Sequence, residues 1–418
     1  MELTRRRFLG LGAGAALAGA TLPLLSPSRL LEALAAGGAP AGTHKLLVMF
    51  WSGGNDGLNT VVPYGISTYY SKRPTIAIPA SKVLTLPGTT QLGLHPNLVN
   101  LQSLYNKNQV ALMLGVGYDN PDLSHFASTD IWMTGSPTHA YGTGWLGRWL
   151  DLSPDNGSAI RAVSVGYYMP LLLIGDTKQG VVVPGPFGFA FADGRDTVTT
   201  SHAYRMHSAW SQSASPAVAP TDPMVAAEER ATRTTVQAVR DVQSLGASAT
   251  HDPYTLADQV TYAISLLDSS LGVDIAFVDI GGFDDHNAEN PNHDARLKDV
   301  DDAIGAFSSA VAATTHPTDF MMMTFSEFGR RVDEDGSAGT DHGTAAPHFV
   351  IGPSVKGGMY GQQPALDTAN LDPYGNMKRQ IEFREIYITI LDKWLQGATS
   401  AQVLNHTVGD GLNPVAFL

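Results

Sequence analysis

The chain has 418 residues, a formal net charge of −13 and no cysteine. The lack of thiols excludes disulfides and thiolate chemistry, so a bound metal would need nitrogen and oxygen ligands. The acidic balance disfavours a nucleic-acid partner, because such a surface repels phosphates. A chain of this length predicts one large α/β domain, or one domain that carries an insertion.

The first residues have the pattern of a twin-arginine export signal. A basic head at residues 4–9 precedes an apolar run, rich in glycine and alanine, that ends near Leu25. A membrane anchor is the alternative, but the run is short for a span. We therefore expect a signal over residues 1–36, a folded domain over residues 43–418, and a periplasmic or secreted protein with no stable membrane span.

The first predicted strand covers residues 45–51 and ends in a glycine-rich turn that contains Asn55 and Asp56. Glycines at this point permit a sharp turn and the close approach of another group. Neither a Walker lysine nor a GxGxxG motif follows, so the turn lacks the features of a phosphate loop. Asp56 is a candidate metal ligand, and a turn-forming Asp-Gly pair is the alternative.

A helix is predicted to begin near Ser124 and to stop at Gly135, after a helix at residues 97–106 and a strand at residues 110–116. A serine in the first turn would lie in the positive field of the helix N-terminus, which stabilises an alkoxide or a bound oxyanion. Ser124 is therefore a candidate nucleophile. A simple helix cap is the alternative.

The rest of the chain alternates between helical and strand patterns. Residues 150–250 are predicted to form a cap or insertion over the strand tips. The remaining elements are strands at 162–165, 171–174, 274–280 and 320–325, and helices at 224–242, 256–267, 297–311 and 386–394. This alternation predicts an α/β fold with a largely parallel central sheet and helices on both faces.

Polar clusters follow several of these strands, where parallel sheets bind their ligands. Histidine and carboxylate side chains collected there predict a site for one or two divalent metals, with zinc, calcium or manganese as candidates. The candidate ligands are Asp56, Asp284, His286, Glu327, Asp341, His342 and His348. Arg330, Asn55 and His293 are candidates for holding an anionic substrate, with an exposed or supporting position as the alternative for His293.

Five motifs together resemble those of the exported DUF1501 family, over nearly all of the chain after the signal. They are the Asn55-Asp56 turn, Ser124-His125-Phe126, the Asp284-Asp285-His286 segment, Ser326-Glu327-Phe328-Gly329-Arg330 and Asp341-His342-Gly343. The family is grouped with the alkaline phosphatase and sulfatase superfamily. The resemblance therefore implies an alkaline phosphatase-like fold, bound metals and an ester-hydrolysing nucleophile.

Mapped by this resemblance, Ser124 corresponds to the nucleophile, although counting back from Gly135 assigns that position to His125. Glu327 stands where the superfamily has the aspartate of its Asp-His pair. The expected function is an exported, metal-dependent hydrolase of phosphate or sulfate monoesters, with envelope glycans as candidate carriers of the ester. The alternative is a non-catalytic envelope binding or assembly protein that retains the fold. The sequence indicates no particular protein partner.

Overall fold

The computed structural model describes residues 44–138, 141–158, 160–183, 255–407 and 410–418. The expected export signal and the helix predicted at residues 224–242 lie outside the described residues. The expected cap over residues 150–250 is described only as far as residue 183. In these ranges, no helix is both long enough and apolar enough to span a bilayer.

The strands are numbered in chain order: β1 Lys45–Trp51, β2 Val61–Val62, β3 Leu84–Thr85, β4 Gly93–Leu94, β5 Val110–Gly117, β6 Ala162–Val165, β7 Val181–Val183, β8 Ile275–Ile280, β9 Phe320–Phe325, β10 Ala346–Ile351, β11 Gly358–Tyr360 and β12 Ile381–Glu382. The central sheet has the order β11-β5-β10-β9-β1-β8-β6-β7, and β12 also pairs with β5. Every pairing in it is parallel except those of β10. Strands β2, β4 and β3 form a separate small antiparallel sheet.

Helices cover both faces of the central sheet. The helices of the described ranges are α1 Gly57–Thr60, α2 Ser67–Lys72, α3 Val99–Asn106, α4 His125–Thr134, α5 Trp145–Leu152, α6 Leu256–Leu267, α7 Glu289–Ala312, α8 Phe383–Thr389 and α9 Ser400–Leu404. Of these, α1 and α2 pack in a separate small cluster. A π-helical turn, Ile390–Leu395, continues α8, and 3₁₀ turns lie at Ala80–Lys82, Leu171–Leu173 and Pro317–Asp319.

Side chains of β1 alternate between two hydrophobic cores. Leu47 and Met49 point to the core that α3, α6 and α7 complete. Leu46 and Val48 point to the core that α4, α5, α8 and α9 complete. A strand that is covered on both faces needs apolar residues at every position, which explains the unbroken apolar run in the sequence. The predicted α/β fold with a largely parallel sheet is confirmed.

One predicted strand is wrong. The apolar run at residues 171–174 forms a 3₁₀ turn, in which Leu173 N–H donates to the Pro170 carbonyl at 3.0 Å. Leu172 and Leu173 are buried among residues of α5 without strand pairing, so burial alone accounts for their apolar character. A short apolar run does not distinguish these two solutions.

The carboxyl ends of four strands meet at one edge of the sheet. Strands β8, β1 and β9 are adjacent and parallel, with Trp51 opposite Ile280 and Phe50 opposite Phe325. Strand β5 is antiparallel to β10, which is antiparallel to β9, so β5 runs in the same direction as β9. The loops that follow β1, β5, β8 and β9 therefore emerge together, and they carry most of the predicted site residues.

His348 lies inside the domain, within β10, and does not reach this edge. Its ring is 3% exposed and packs against Trp132, with 4.9 Å between the ring centroids. Its Nε2 is buried and finds no hydrogen-bond partner in the described part of the chain. Burial lowers the pKa of His348 from its ordinary 6.5 to about 3.

Replacing His348 with leucine is expected to flatten the pH dependence of stability. A histidine with a depressed pKa in the folded state contributes stability above its unfolded pKa, and this stability is lost as the pH falls. Between pH 7 and pH 5 the contribution amounts to about 2 kcal/mol. Urea unfolding at both pH values measures it. Phe349→Leu, on the same strand, should lower stability but keep the wild-type pH dependence.

Candidate metal centre

Two glycines after β1 allow the loops to approach one another. Gly53 has a φ of +117°, and a Cβ at this position would lie 2.6 Å from the backbone nitrogen of Asp284. Gly54 has a φ of +76°, and a Cβ there would overlap the ring of Phe328. Only glycine combines this backbone conformation with the absence of a side chain, so the glycine-rich turn permits close packing of the β1 and β8 loops.

Arg330 joins the loops around the site. Its guanidinium is 1% exposed, and its Nη2 lies 2.7 Å from Asp284 Oδ1. It also donates to four backbone carbonyls, those of Gly53, Gly54, Phe283 and Thr340. The sequence predicted Arg330 as a substrate-binding residue. In the structure, its guanidinium instead binds oxygens of the protein and so holds three loops together.

A short paired segment brings His342 to the same place. Arg331 N–H donates to the Asp341 carbonyl at 3.0 Å, and Gly343 N–H donates to the Gly329 carbonyl at 2.8 Å. Arg330 and His342 thus face each other in an isolated antiparallel bridge. This explains how a histidine twelve residues after Arg330 returns to the strand edge.

Three histidine side chains converge on one oxygen of Asp284. The distances from Asp284 Oδ1 to the Nε2 atoms of His286, His342 and His125 are 2.9, 3.2 and 3.4 Å. Potential ligand atoms of His125, Asp284 and His342 all lie within 4.8 Å of one another. Ligands at about 2.0–2.1 Å from a tetrahedral zinc ion are roughly 3.3 Å apart, so these spacings match a metal centre.

The outer nitrogens of two of these histidines have acceptors. His125 Nδ1 lies 2.7 Å from Glu327 Oε1, and His342 Nδ1 lies 2.8 Å from the Leu123 carbonyl oxygen. Each Nδ1 therefore donates to its acceptor, and each ring presents its Nε2 to Asp284. Among the described residues, the buried Nε2 of His125 has no hydrogen-bond partner. A divalent metal between these Nε2 atoms and the carboxylate would satisfy all of them.

Titration behaviour at the cluster follows from these contacts. The hydrogen bond that His125 donates to Glu327 raises the pKa of His125, while burial lowers the pKa of His342. Burial acts to raise the pKa of Asp284, but the hydrogen bond and charge of Arg330 outweigh it and leave the pKa at about 2. Asp284 is thus ionised at neutral pH, as a metal ligand must be.

Glu327, predicted from the sequence as a ligand, lies behind His125. Its side chain is 1% exposed, and Oε1 also accepts the Gly53 N–H at 2.9 Å. Replacement by glutamine is expected to weaken zinc binding about 10- to 100-fold, because the imidazole loses the carboxylate that orients it. Competition with a chelator measures the affinity. Asp333→Asn, on an exposed loop, is the control, and an unchanged affinity in Glu327→Gln would contradict this role.

Asp341 and His286 lie at the open side of the cluster. Asp341 Oδ1 is 3.7 Å from His286 Nδ1, and the two side chains are 60% and 42% exposed. The exposed fraction of Asp284 is 47%. The cluster therefore has one face open to solvent, which is the feature that separates catalytic from purely structural zinc sites.

Asp56 belongs to a separate buried network. Its carboxylate pairs with the Arg73 guanidinium through both oxygens and also accepts the Leu58 N–H at 3.2 Å. Burial acts to raise its pKa, but the Arg73 charge prevails and leaves the pKa at about 2. Both carboxylate oxygens of Asp56 are thus occupied by Arg73 and are not available to a second metal.

Asn55 and His293 are also buried. Asn55 Oδ1 accepts the Thr60 hydroxyl at 2.8 Å, and its backbone N–H donates to Ser326 Oγ at 2.9 Å. His293 Nε2 lies 3.4 Å from the same Thr60 hydroxyl, and burial lowers the pKa of His293 to about 3. Both residues, predicted to bind substrate, support the β1 loop from within.

Ser124 is the N-cap residue of α4, next to His125. It is exposed, and its hydroxyl makes no capping hydrogen bond with the helix. Its backbone N–H donates to Asp122 Oδ1 at 2.8 Å. The hydroxyl is therefore not used as a helix cap, which was the alternative reading of this serine.

Three contributors were missed by the sequence reasoning. Arg73 neutralises Asp56, Glu289 accepts hydrogen bonds from Asn59 and Thr340, and Leu123 offers its carbonyl to His342. Glu289 begins α7, where an acidic residue is common. Neither Arg73 nor the Leu123 carbonyl has a sequence signal. Arg73 lies 17 residues from Asp56, and Leu123 lies 219 residues from His342.

Residues 111–394, more than half of the chain, match the family described as "Protein of unknown function (DUF1501)". The chain belongs to the DUF1501 family. The resemblance read from the motifs is thereby confirmed. The β1 turn with Asn55 and Asp56 lies before the matched region, and the DUF1501 match includes the candidate ligands of the cluster. No curated protein matches the sequence.

Solved structures similar to this DUF1501 chain have low sequence identity to it. A Vibrio parahaemolyticus protein of the alkaline phosphatase superfamily is 10% identical, with a TM-score of 0.39, covering 96% of this chain and 78% of its own. Alkaline phosphatase from the Antarctic bacterium TAB5 is 11% identical, with a TM-score of 0.35 and coverages of 75% and 92%. The PsFucS1 sulfatase from Pseudoalteromonas sp. is 10% identical, with a TM-score of 0.35 and coverages of 97% and 74%.

Proposed function

We propose that this DUF1501 protein is an exported, metal-dependent hydrolase of phosphate or sulfate monoesters. The observation that supports it is the convergence of the His125, His286 and His342 Nε2 atoms on Asp284. Hydrogen bonds at the outer nitrogens fix two of these rings, so the cluster is preorganised before any ligand arrives. The solvent-open side at Asp284 and His286 leaves room for an ester group.

Asp284, His125 and His342 would hold the metal, and His286 is placed to join them. A mixed set of imidazole nitrogens and a carboxylate suits zinc or manganese better than calcium, which prefers oxygen ligands. When bound, the ion would act as a Lewis acid that polarises an ester oxygen. The buried network of Asp56 and Arg73 leaves one metal as the proposed number.

Ser124 is the proposed nucleophile. Its free hydroxyl stands at the N-terminus of α4, where the helix dipole favours negative charge on the oxygen. In the proposed reaction, Ser124 Oγ forms a bond to phosphorus or sulfur while the bond to the alcohol oxygen breaks. The proton lost by the serine hydroxyl passes to the departing alcohol. Water then attacks the phosphorus or sulfur, the bond to Ser124 Oγ breaks, and one proton of the water returns to the serine as phosphate or sulfate leaves.

Metal analysis and an activity screen test the proposal together. We expect about one divalent ion per chain by mass spectrometry, and turnover of 4-nitrophenyl phosphate or 4-nitrophenyl sulfate. Ser124→Ala should keep the ion and lose turnover. A chain that binds no zinc or manganese and cleaves neither ester would contradict the hydrolase and favour the alternative of a binding or assembly protein.

A further inference from the structure

A cavity of about 910 Å³ lies beside the metal cluster and is not used by the proposed reaction. Its lining includes Tyr118, Leu123, Arg331, Thr344, Tyr374 and Lys378. Leu123 is shared by the two sites, because its backbone carbonyl accepts the His342 Nδ1 hydrogen bond. A substrate that extends beyond its reacting ester could therefore enter this cavity, whose size suits a ligand of one or two sugar units.

Two cations line the cavity without a direct ion pair, although the charge of Arg331 acts on Asp372, which lines the same cavity. Arg331 and Lys378 make no ion pair with any described residue, and the buried Nε of Arg331 has no hydrogen-bond partner there. Arg379, by contrast, pairs with Asp119 at 2.6 and 2.7 Å. A buried donor without a partner costs about 1–3 kcal/mol, so the Nε of Arg331 indicates a place for an acceptor such as an anion.

Tyr374 lies at the rim of this cavity, on a loop that hydrogen bonds to Asp372 hold. Its side chain is 76% exposed. Asp372 Oδ1 accepts the N–H groups of Tyr374 and Asn376, both at 2.8 Å, and Oδ2 accepts the Asn376 amide at 3.0 Å. The backbone of the loop is thus held by hydrogen bonds, while the ring of Tyr374 extends into solvent. A rigid aromatic ring at a cavity rim offers contact area for the apolar face of a ligand at low entropic cost.

We propose that this cavity is a subsite for a phosphorylated or sulfated sugar unit, adjoining the ester that reacts at the metal cluster. Arg331 and Lys378 hold the anionic group, and Tyr374 packs against the face of the sugar ring. The substrate class that results is an anionic oligosaccharide with more than one charged group. The reaction of the adjoining ester rests on the proposed function. Binding of the sugar in the cavity does not, because it requires no turnover.

Calorimetry on the full chain tests the subsite directly. The probes are glucose 6-phosphate and a sulfated chondroitin disaccharide, with unsubstituted glucose and adenosine 5′-monophosphate for comparison. We expect the two anionic sugars to bind, glucose to bind at least tenfold more weakly, and Tyr374→Ala and Lys378→Ala each to weaken binding about tenfold. Arg331→Gln should have a larger effect, and thermal melting checks that it folds.

Matched controls separate this subsite from general surface effects. Tyr167→Ala removes another exposed tyrosine, and Lys107→Ala removes an exposed lysine that precedes β5, at the opposite end of the strand from the cavity. Both should leave binding unchanged. If the Asp284→Asn variant still binds the anionic sugars, the subsite is supported even if the hydrolase proposal fails.

Three outcomes would overturn the inference. One is that neither anionic sugar binds at millimolar concentration. Another is that Tyr374→Ala, Lys378→Ala and Arg331→Gln all bind as the wild type does. The third is tighter binding of adenosine 5′-monophosphate than of either sugar, which would assign the aromatic ring and the cations to a nucleotide.

Discussion

Replacing His342 with alanine is expected to abolish turnover and to weaken zinc binding by about two orders of magnitude. The ring supplies one of the Nε2 atoms that face Asp284, at 3.2 Å, and its Nδ1 is already oriented by the Leu123 carbonyl. Dividing a typical zinc-binding free energy among four ligands gives roughly 3 kcal/mol for each. Chelator competition and turnover of 4-nitrophenyl phosphate measure the two effects.

Two variants make this experiment specific. Asp341→Ala removes an exposed carboxylate one residue away, at 3.7 Å from the outer nitrogen of His286. Its effect on zinc affinity should not exceed about tenfold, as for a residue that only orients a ligand. His316→Ala, on an exposed turn, should have no effect. Equal zinc affinity in His342→Ala and the wild type would remove His342 from the site.

Replacing Arg330 with methionine is expected to lower the free energy of unfolding by about 3–5 kcal/mol. The change removes the buried partner of Asp284 and leaves the carbonyls of Gly53, Gly54, Phe283 and Thr340 without their donor. The lost hydrogen bonds account for a cost of this size, because a buried acceptor left without a donor costs about 1–3 kcal/mol. Lysine should not restore stability, because one ammonium group cannot match the planar fork. Urea unfolding of the metal-free protein measures the change.

A surface arginine provides the comparison for Arg330. Arg296 pairs with Asp299 at 3.1 Å, and both side chains are more than a third exposed. Arg296→Ala should change the unfolding free energy by less than about 1 kcal/mol, since exposed ion pairs contribute little. If Arg330→Met unfolds at the same urea concentration as Arg296→Ala, Arg330 does not join the loops as described.

The predictions that succeeded rest on local signals. The apolar run at residues 45–51 is β1 in full, and Gly135 ends α4 in the left-handed conformation, with a φ of 66°. Three of the predicted ligands, Asp284, His286 and His342, lie together because their loops follow β8 and β9, the two strands that flank β1 and run parallel to it. The rule that ligands bind beyond the carboxyl ends of strands was sufficient to place them.

The assignments that changed depend on partners distant in sequence. Asp56 and Glu327 are both acidic residues that follow strands. In the structure, Asp56 pairs with Arg73, and Glu327 accepts a hydrogen bond from His125. The sequence predicts His348 as another ligand of the cluster, but His348 lies within the antiparallel strand β10 and its side chain is buried in the core. Sequence spacing does not reveal such partners, because they are set by which loops the sheet brings side by side.

The sequence by itself determined the α/β class, the family and the strand edge at which the chemistry lies, because apolar periodicity and turn residues are local properties. The tertiary structure decided which histidines face Asp284 and which acidic residues only orient those histidines. It also decided that the Arg330 side chain is buried. It also formed the cavity beside Leu123, whose lining comes from segments more than two hundred residues apart. Contacts of this kind arise only when the sheet is assembled, since each depends on the positions of at least two loops.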